Sequence, residues 1–202
     1  MIRVLYHVNK IFASVSYILL NDEKRICWVV DIGDCDEICK LMHGYELRGI
    51  FLTHVHYDHI YGLNELQNKY SKVPIYTNEF GLKSLTNPED NLSAYHDDCF
   101  VLRNIDNVIV VREGNMIDIG SKHVIVMETP GHDYSCLSYL VDKFCFTGDT
   151  YIPGVKIFTK LQNGDSEMAQ RSKERLEQID GVVIYPGHYI DILSDKITSN
   201  QY

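Results

Sequence analysis

Hydrophobic and polar positions along the first thirty residues alternate with the period of two that marks a half-buried strand. Segments 3–6, 13–20 and 25–31 read as an antiparallel series, with Asn21-Asp22 supplying turn chemistry between the last two. The period then lengthens. Asp34 or Asp36 is placed to cap a short helix whose Ile38, Leu41 and Met42 share one face, and Gly44 ends it. The β-branched and aromatic run Gly49-Ile-Phe-Leu-Thr53 predicts the next strand, and Leu63, Leu66 and Tyr70 recur at helical spacing after Gly62. Another strand is expected at 74–77, followed by an irregular stretch over 78–104. The second half repeats the grammar, with strands at 108–111, 124–128, 137–141 and 144–147. A helix over 167–179, with Ser166 as its N-cap, leads to a last strand at 182–185.

The two halves also share a faint repeat: Gly49 to Tyr57 can be laid over Gly181 to Tyr189, which places His56 on His188. Strands followed by helices in both halves predict two sheets packed face to face with helices outside, and functional side chains gathered at one edge. The 202 residues are enough for one domain, 1–202, with a sizeable core.

Charge and cysteine content narrow the partners. With 28 acidic against 19 basic residues, the net charge of -9 repels phosphate backbones and anionic lipid, so a small molecule is expected rather than nucleic acid or membrane. The apolar stretch 11–20 is followed by Asn21-Asp-Glu-Lys-Arg25 instead of a small-residue cleavage site, so it reads as strand. Six cysteines without a Cys-x-x-Cys pair point to a reducing cytoplasm; Cys35 and Cys39 could lie one helical turn apart.

The chemistry concentrates in Phe51-Leu-Thr-His54-Val-His56-Tyr-Asp58-His59, which carries four metal-capable side chains within six residues. In an extended segment His54, His56 and Asp58 would share a face, while His59 turns into the next element. Imidazole with carboxylate suits zinc, iron or manganese better than calcium. Three later strands each run into a Gly-His or Gly-Asp: Thr-Pro-Gly-His132, Thr-Gly-Asp149-Thr and Pro-Gly-His188. Glycine there permits a tight turn that lets the next side chain face inward.

In this order the motifs resemble the metallo-β-lactamase fold superfamily, and within it the glyoxalase II-like metal-dependent hydrolases. The resemblance runs from about Ser14 to His188 and implies a four-layer αββα sandwich of two mixed sheets with a two-metal centre. It implies one metal on His54, His56 and His132, the other on Asp58, His59 and His188, and Asp149 bridging, with Asp58 and Asp149 as catalytic carboxylates. Two Zn2+ would be the cofactor, with iron or manganese as alternatives, and a bridging hydroxide would attack a small ester, thioester or lactone. The same residues resemble those of persulfide dioxygenases, which would use a single Fe2+ on His54, His132 and Asp149. A non-catalytic metal-binding protein of the same fold is the third reading. Asp133 stands where such hydrolases often carry threonine, and the fourteen residues after His188 leave out the helical domain that contacts glutathione in glyoxalase II enzymes. Tyr95, in the irregular loop, and Tyr189 are the candidate substrate contacts.

Overall fold

A computed structural model describes residues 2–120 and 122–188. The chain opens with the strands β1 (Ile2–Val8), β2 (Val15–Asn21) and β3 (Ile26–Val30), followed by α1 (Cys35–Leu41) and β4 (Glu46–Phe51). Two short helices, α2 (Tyr57–Ile60) and α3 (Leu63–Lys69), lead to β5 (Ile75–Thr77), α4 (Glu79–Ser84) and β6 (Val108–Val110). The second half runs β7 (Met116–Asp118), β8 (His123–Glu128), β9 (Leu137–Val141), β10 (Phe144–Gly148), α5 (Ser166–Glu177) and β11 (Val183–Pro186).

These strands form two mixed sheets, ordered β1-β2-β3-β4-β5-β6 and β11-β10-β9-β8-β7. Side-chain alternation sets the layers. On β2, Tyr17 and Leu19 face the second sheet and join Trp28, Val30, Phe51, Val126, Tyr139 and Phe146 in the inter-sheet core. Their neighbours Ile18 and Leu20 face the other way, onto Ile38 of α1 and Leu63 and Leu66 of α3. This explains why β2 is buried along its whole length although its sequence alternates. Leu176 of α5 covers the outer face of the second sheet through Met127 and Cys145. The result is the expected αββα order of layers, in which each fully buried aliphatic or aromatic side chain contributes roughly 1.5–3 kcal/mol.

The internal repeat appears as topology. β1, β2 and β3 pair antiparallel and β3 pairs parallel with β4 across α1; β8, β9 and β10 pair antiparallel and β10 pairs parallel with β11 across α5. Each set therefore delivers its last strand toward the same edge. There the halves are stitched together: Val15 N donates to Gly187 O at 2.7 Å, Leu137 N to Thr53 O at 2.7 Å, and the Tyr17 hydroxyl to Pro186 O at 2.6 Å.

Several boundaries differ from the sequence reading, each for a local reason. β2 starts at Val15 rather than at residue 13, because Phe12 and Ala13 adopt left-handed backbone (φ 51° and 54°) at the tip of the β1–β2 hairpin. The stretch 78–104 contains a helix after all: Asn78 caps α4 by accepting from Gly81 N at 2.8 Å. Three-residue β7 is too short to show a period, and the sequence reading passes over it. Asp34 precedes α1 without a side-chain cap bond, its carboxylate being taken by His7 at 3.0 Å and Tyr61 at 2.7 Å.

The cap of α5 is Asp165 rather than Ser166, its Oδ1 accepting from Glu167 N and Met168 N at 2.9 Å each. Asp165→Ala should therefore lower unfolding free energy by about 1 kcal/mol in urea denaturation, whereas Ser166→Ala should change it by no more than a few tenths. Equal effects would contradict the cap assignment.

Candidate metal centre

All seven expected ligands meet at the stitched edge. His54 and His56 follow β4, and His56 is in extended backbone. Asp58 differs from the extended reading: it lies on the helical turn α2 with His59, which turns into that next element as expected, and the turn carries both side chains back toward the edge. From the second sheet come His132, after β8, Asp149, after β10, and His188, after β11. Their donor atoms fall into three overlapping groups that could hold a metal: His54, His56 and His132; His54, His59 and Asp149; and Asp58, His59 and His188.

Individual separations show how tightly the groups interlock. His56 Nδ1 and His132 Nε2 are 3.0 Å apart, and His59 Nε2 and His188 Nε2 are 3.4 Å apart. Asp58 Oδ2 lies 3.3 Å from both His59 Nε2 and His188 Nε2. Asp149 spans the two sides, with Oδ2 at 3.1 Å from His188 and 3.5 Å from His132, and Oδ1 at 3.6 Å from His59.

Each ring is oriented from behind. Thr53 Oγ1 stands 3.2 Å from His54 Nδ1, and Asp31 Oδ2 is 3.0 Å from His59 Nδ1. Asp133 Oδ2 is 3.5 Å from His56 Nε2. His132 Nδ1 donates to Phe158 O at 2.7 Å and His188 Nδ1 to Phe12 O at 2.9 Å. The outer nitrogen of every ring thus faces an oxygen and the inner one is directed at its fellows, the arrangement by which protein groups fix the tautomer of a ligating histidine.

Asp31 is the hub of this support. Leaving β3 in left-handed backbone (φ 55°), it accepts from Thr53 N at 2.8 Å and Thr53 Oγ1 at 2.7 Å as well as facing His59. Its only trace in the sequence is a carboxylate interrupting the apolar run Trp28-Val-Val-Asp31-Ile32. Asp133, seen in the sequence merely as a departure from threonine, is fully buried and braced by Ser135 N at 2.7 Å. The carbonyls of Phe12 and Phe158 have no sequence signal, since any residue supplies one.

The chemistry of the donor set fits a cation. His54 Nε2 and Asp149 Oδ1 are buried and have no hydrogen-bond partner, a condition that costs roughly 1–3 kcal/mol per atom unless a ligand satisfies it. Burial, with His59 and His56 nearby, holds His54 well below the usual histidine range, so its imidazole is neutral and its lone pair free. Burial opposes ionisation of Asp149, yet the hydrogen bond from His188 and the charge of His59 hold it well below the usual carboxylate range. Backbone makes the space. A Cβ at Gly187 would stand 2.1 Å from Asp149 Oδ1, and one at Gly131 would stand 2.1 Å from Ala169 N, where α5 packs on the loop that presents His132.

The two substrate candidates fall differently. Tyr95 is 76% exposed on the 3-10 turn Ser93–Tyr95, and its neighbour His96 is the residue that packs on Tyr57 at 4.5 Å and Phe12 at 5.7 Å. Tyr189 lies outside the described residues.

Asp133→Asn should weaken metal retention near His56 by roughly 10–100-fold, measured by chelator competition, with the fold intact by circular dichroism. Unchanged retention would show that Asp133 does not support the centre.

Known proteins place this arrangement. A probable metallo-hydrolase of Streptococcus pyogenes serotype M6 is 28% identical over 199 residues, 93% of this chain and 84% of that protein. The hydroxyacylglutathione hydrolase of Hahella chejuensis is 31% identical over 84% of this chain, which spans only 59% of that enzyme's length. Among solved structures, BLEG-1 B3 metallo-β-lactamase superposes with a TM-score of 0.82 at 22% identity, covering 93% of this chain and 92% of that one. ETHE1 from Myxococcus xanthus gives 0.71 at 23% identity, over 95% and 76%. With the family model for the metallo-β-lactamase superfamily matching residues 16–188, from β2 through the last histidine of the cluster, the chain belongs to that superfamily.

Proposed function

We propose that the chain is a two-metal hydrolase of a small thioester, ester or lactone, its 202 residues forming one metallo-β-lactamase-like domain. His54, His56 and His132 would hold one metal, Asp58, His59 and His188 the other, and Asp149 both. The observation that carries this reading is the convergence of seven side chains with His54 Nε2 and Asp149 Oδ1 left buried and unpartnered among them. When bound, the metals would supply a water ionised near neutral pH and a Lewis acid for a carbonyl oxygen.

The residues divide the remaining tasks. Asp149, reaching both His132 and His188, fixes the spacing of the two sides. Burial raises the proton affinity of Asp58, but the adjoining His59 outweighs it and keeps the carboxylate ionised, the state in which Asp58 Oδ2 could join His59 and His188 as a ligand. Phe12 and Phe158, 68% and 54% exposed, flank the centre from the carbonyls that bind His188 and His132 and would border the substrate.

Thioesters lead the substrate classes because hydroxyacylglutathione hydrolases are among the relatives. The chain spans little more than half the length of those enzymes, so the proposal names the thioester bond and leaves glutathione out. Zinc is the metal proposed, in the reducing cytoplasm that six cysteines without a Cys-x-x-Cys pair suggest. No helix among the described residues is long and apolar enough to cross a membrane. A single iron on His54, His132 and Asp149 would leave the convergence of Asp58, His59 and His188 without a purpose, which favours two metals.

Elemental analysis of protein purified without chelator should find about two zinc per chain at the centre, and Asp149→Ala should abolish retention and lower kcat/KM on a thioester panel on the order of 10³-fold. One iron per chain with oxygen uptake on a persulfide would overturn the hydrolase reading.

A further inference from the structure

One cavity in the fold lies away from the metal centre. It has a volume of about 780 Å³ beside α1, and both Cys35 and Cys39 line it. The two residues stand one helical turn apart on α1 with their Sγ atoms 3.9 Å from each other. Cys35 is buried, Cys39 is partly exposed, and both are free thiols. Lys69 Nζ lies 4.0 Å from Cys39 Sγ and is also held by Asp36 and Glu65 at 2.8 Å each.

The separation selects the chemistry. A disulfide needs its sulfurs about 2.05 Å apart and its Cβ atoms about 3.8 Å apart, whereas Cβ atoms four apart on a helix stand roughly 5–6 Å apart. Closing that bridge would unwind α1. Two sulfurs sharing one thiophilic atom, at bonds near the ~2.3 Å zinc–sulfur length and angles from about 100° to tetrahedral, stand roughly 3.5–3.8 Å apart. A change of a few tenths of an ångström reaches that range, within side-chain rotation.

Coordination number then chooses among thiophilic atoms. Zinc takes four donors, and none of the groups of three or more metal-capable side chains found among the described residues includes Cys35 or Cys39, whereas a trivalent arsenical carrying one substituent needs only two thiols. Burial, with Cys39 beside it, pushes the Cys35 thiol well above its usual value, so that residue enters any reaction carrying its proton. The acceptor must therefore remove thiol protons as it binds.

We infer that Cys35 and Cys39 form a dithiol site for trivalent arsenic, opening onto the cavity beside α1 and separate from the metal centre. With a monosubstituted arsenical oxide, the arsenic–oxygen bonds are replaced by two arsenic–sulfur bonds. Both thiol protons leave on the oxygen as one water, and arsenic stays trivalent. The cross-link would also brace α1, a helix of seven residues with no side-chain N-cap bond.

The test is intact-mass analysis of the folded, metal-loaded protein with phenylarsine oxide, together with a free-thiol count. One adduct should form with the loss of two thiols and a rise in Tm. It should be missing from Cys35→Ser and from Cys39→Ser, and retained by Cys99→Ser. Cys39 is partly exposed, so its variant separates thiol loss from a folding defect at buried Cys35. Failure of the folded wild type to form the adduct, or its persistence in Cys39→Ser, would overturn the inference. Neither result depends on the hydrolase reading, which is judged by zinc at the N/O centre.

Discussion

Bringing five imidazoles and two carboxylates into one buried edge is the constraint around which this fold is arranged. Such a cluster is unfavourable alone: burial penalises the carboxylates, and rings whose centres stand only 4–5 Å apart crowd their donor nitrogens together. The fold meets the difficulty from behind, giving each ring an acceptor or hydroxyl at its outer nitrogen. Asp31 contributes most, since one carboxylate orients His59 and also clamps Thr53, the residue immediately before His54. Its left-handed backbone is tolerated because these bonds over-determine it.

The two-sheet architecture follows from the same demand. Neither half alone assembles the centre, since His54, His56, Asp58 and His59 come from the first sheet's edge and His132, Asp149 and His188 from the second. The matching pairings of β1–β4 and β8–β11 deliver both sets to one place. Inter-sheet bonds from Thr53, Pro186 and Gly187 hold the spacing close to the donors themselves.

The layers and the clustered donor side chains were legible in the chain because both rest on side-chain identity in a period. Alternation in β2 and the helical face of α3 reported their packing, and the clustered histidines reported the first half of the centre. What was hidden depends on backbone or on distance in sequence. The carbonyls of Phe12 and Phe158 carry no residue signal, and the link from Asp31 to His59 crosses twenty-eight positions. The spacing of Asp58 suggests an extended face, whereas the turn α2 presents it, because four residues are too few for a helical period to show. Asp165 took the cap assigned to Ser166 since both are good capping residues and only geometry separates adjacent candidates.

The stitching at the edge has a mechanical consequence. His54 and His188 are separated by most of the chain, and the backbone bond from Val15 to Gly187 joins the first hairpin to the last described strand. A cation held between the two sides would act as a clasp across a loop of more than a hundred residues, the kind of closure whose entropy is largest in an unfolded chain. Loading the centre should thus tighten the protein as a whole, and any loosening between the sheets should be felt first as a leak of metal.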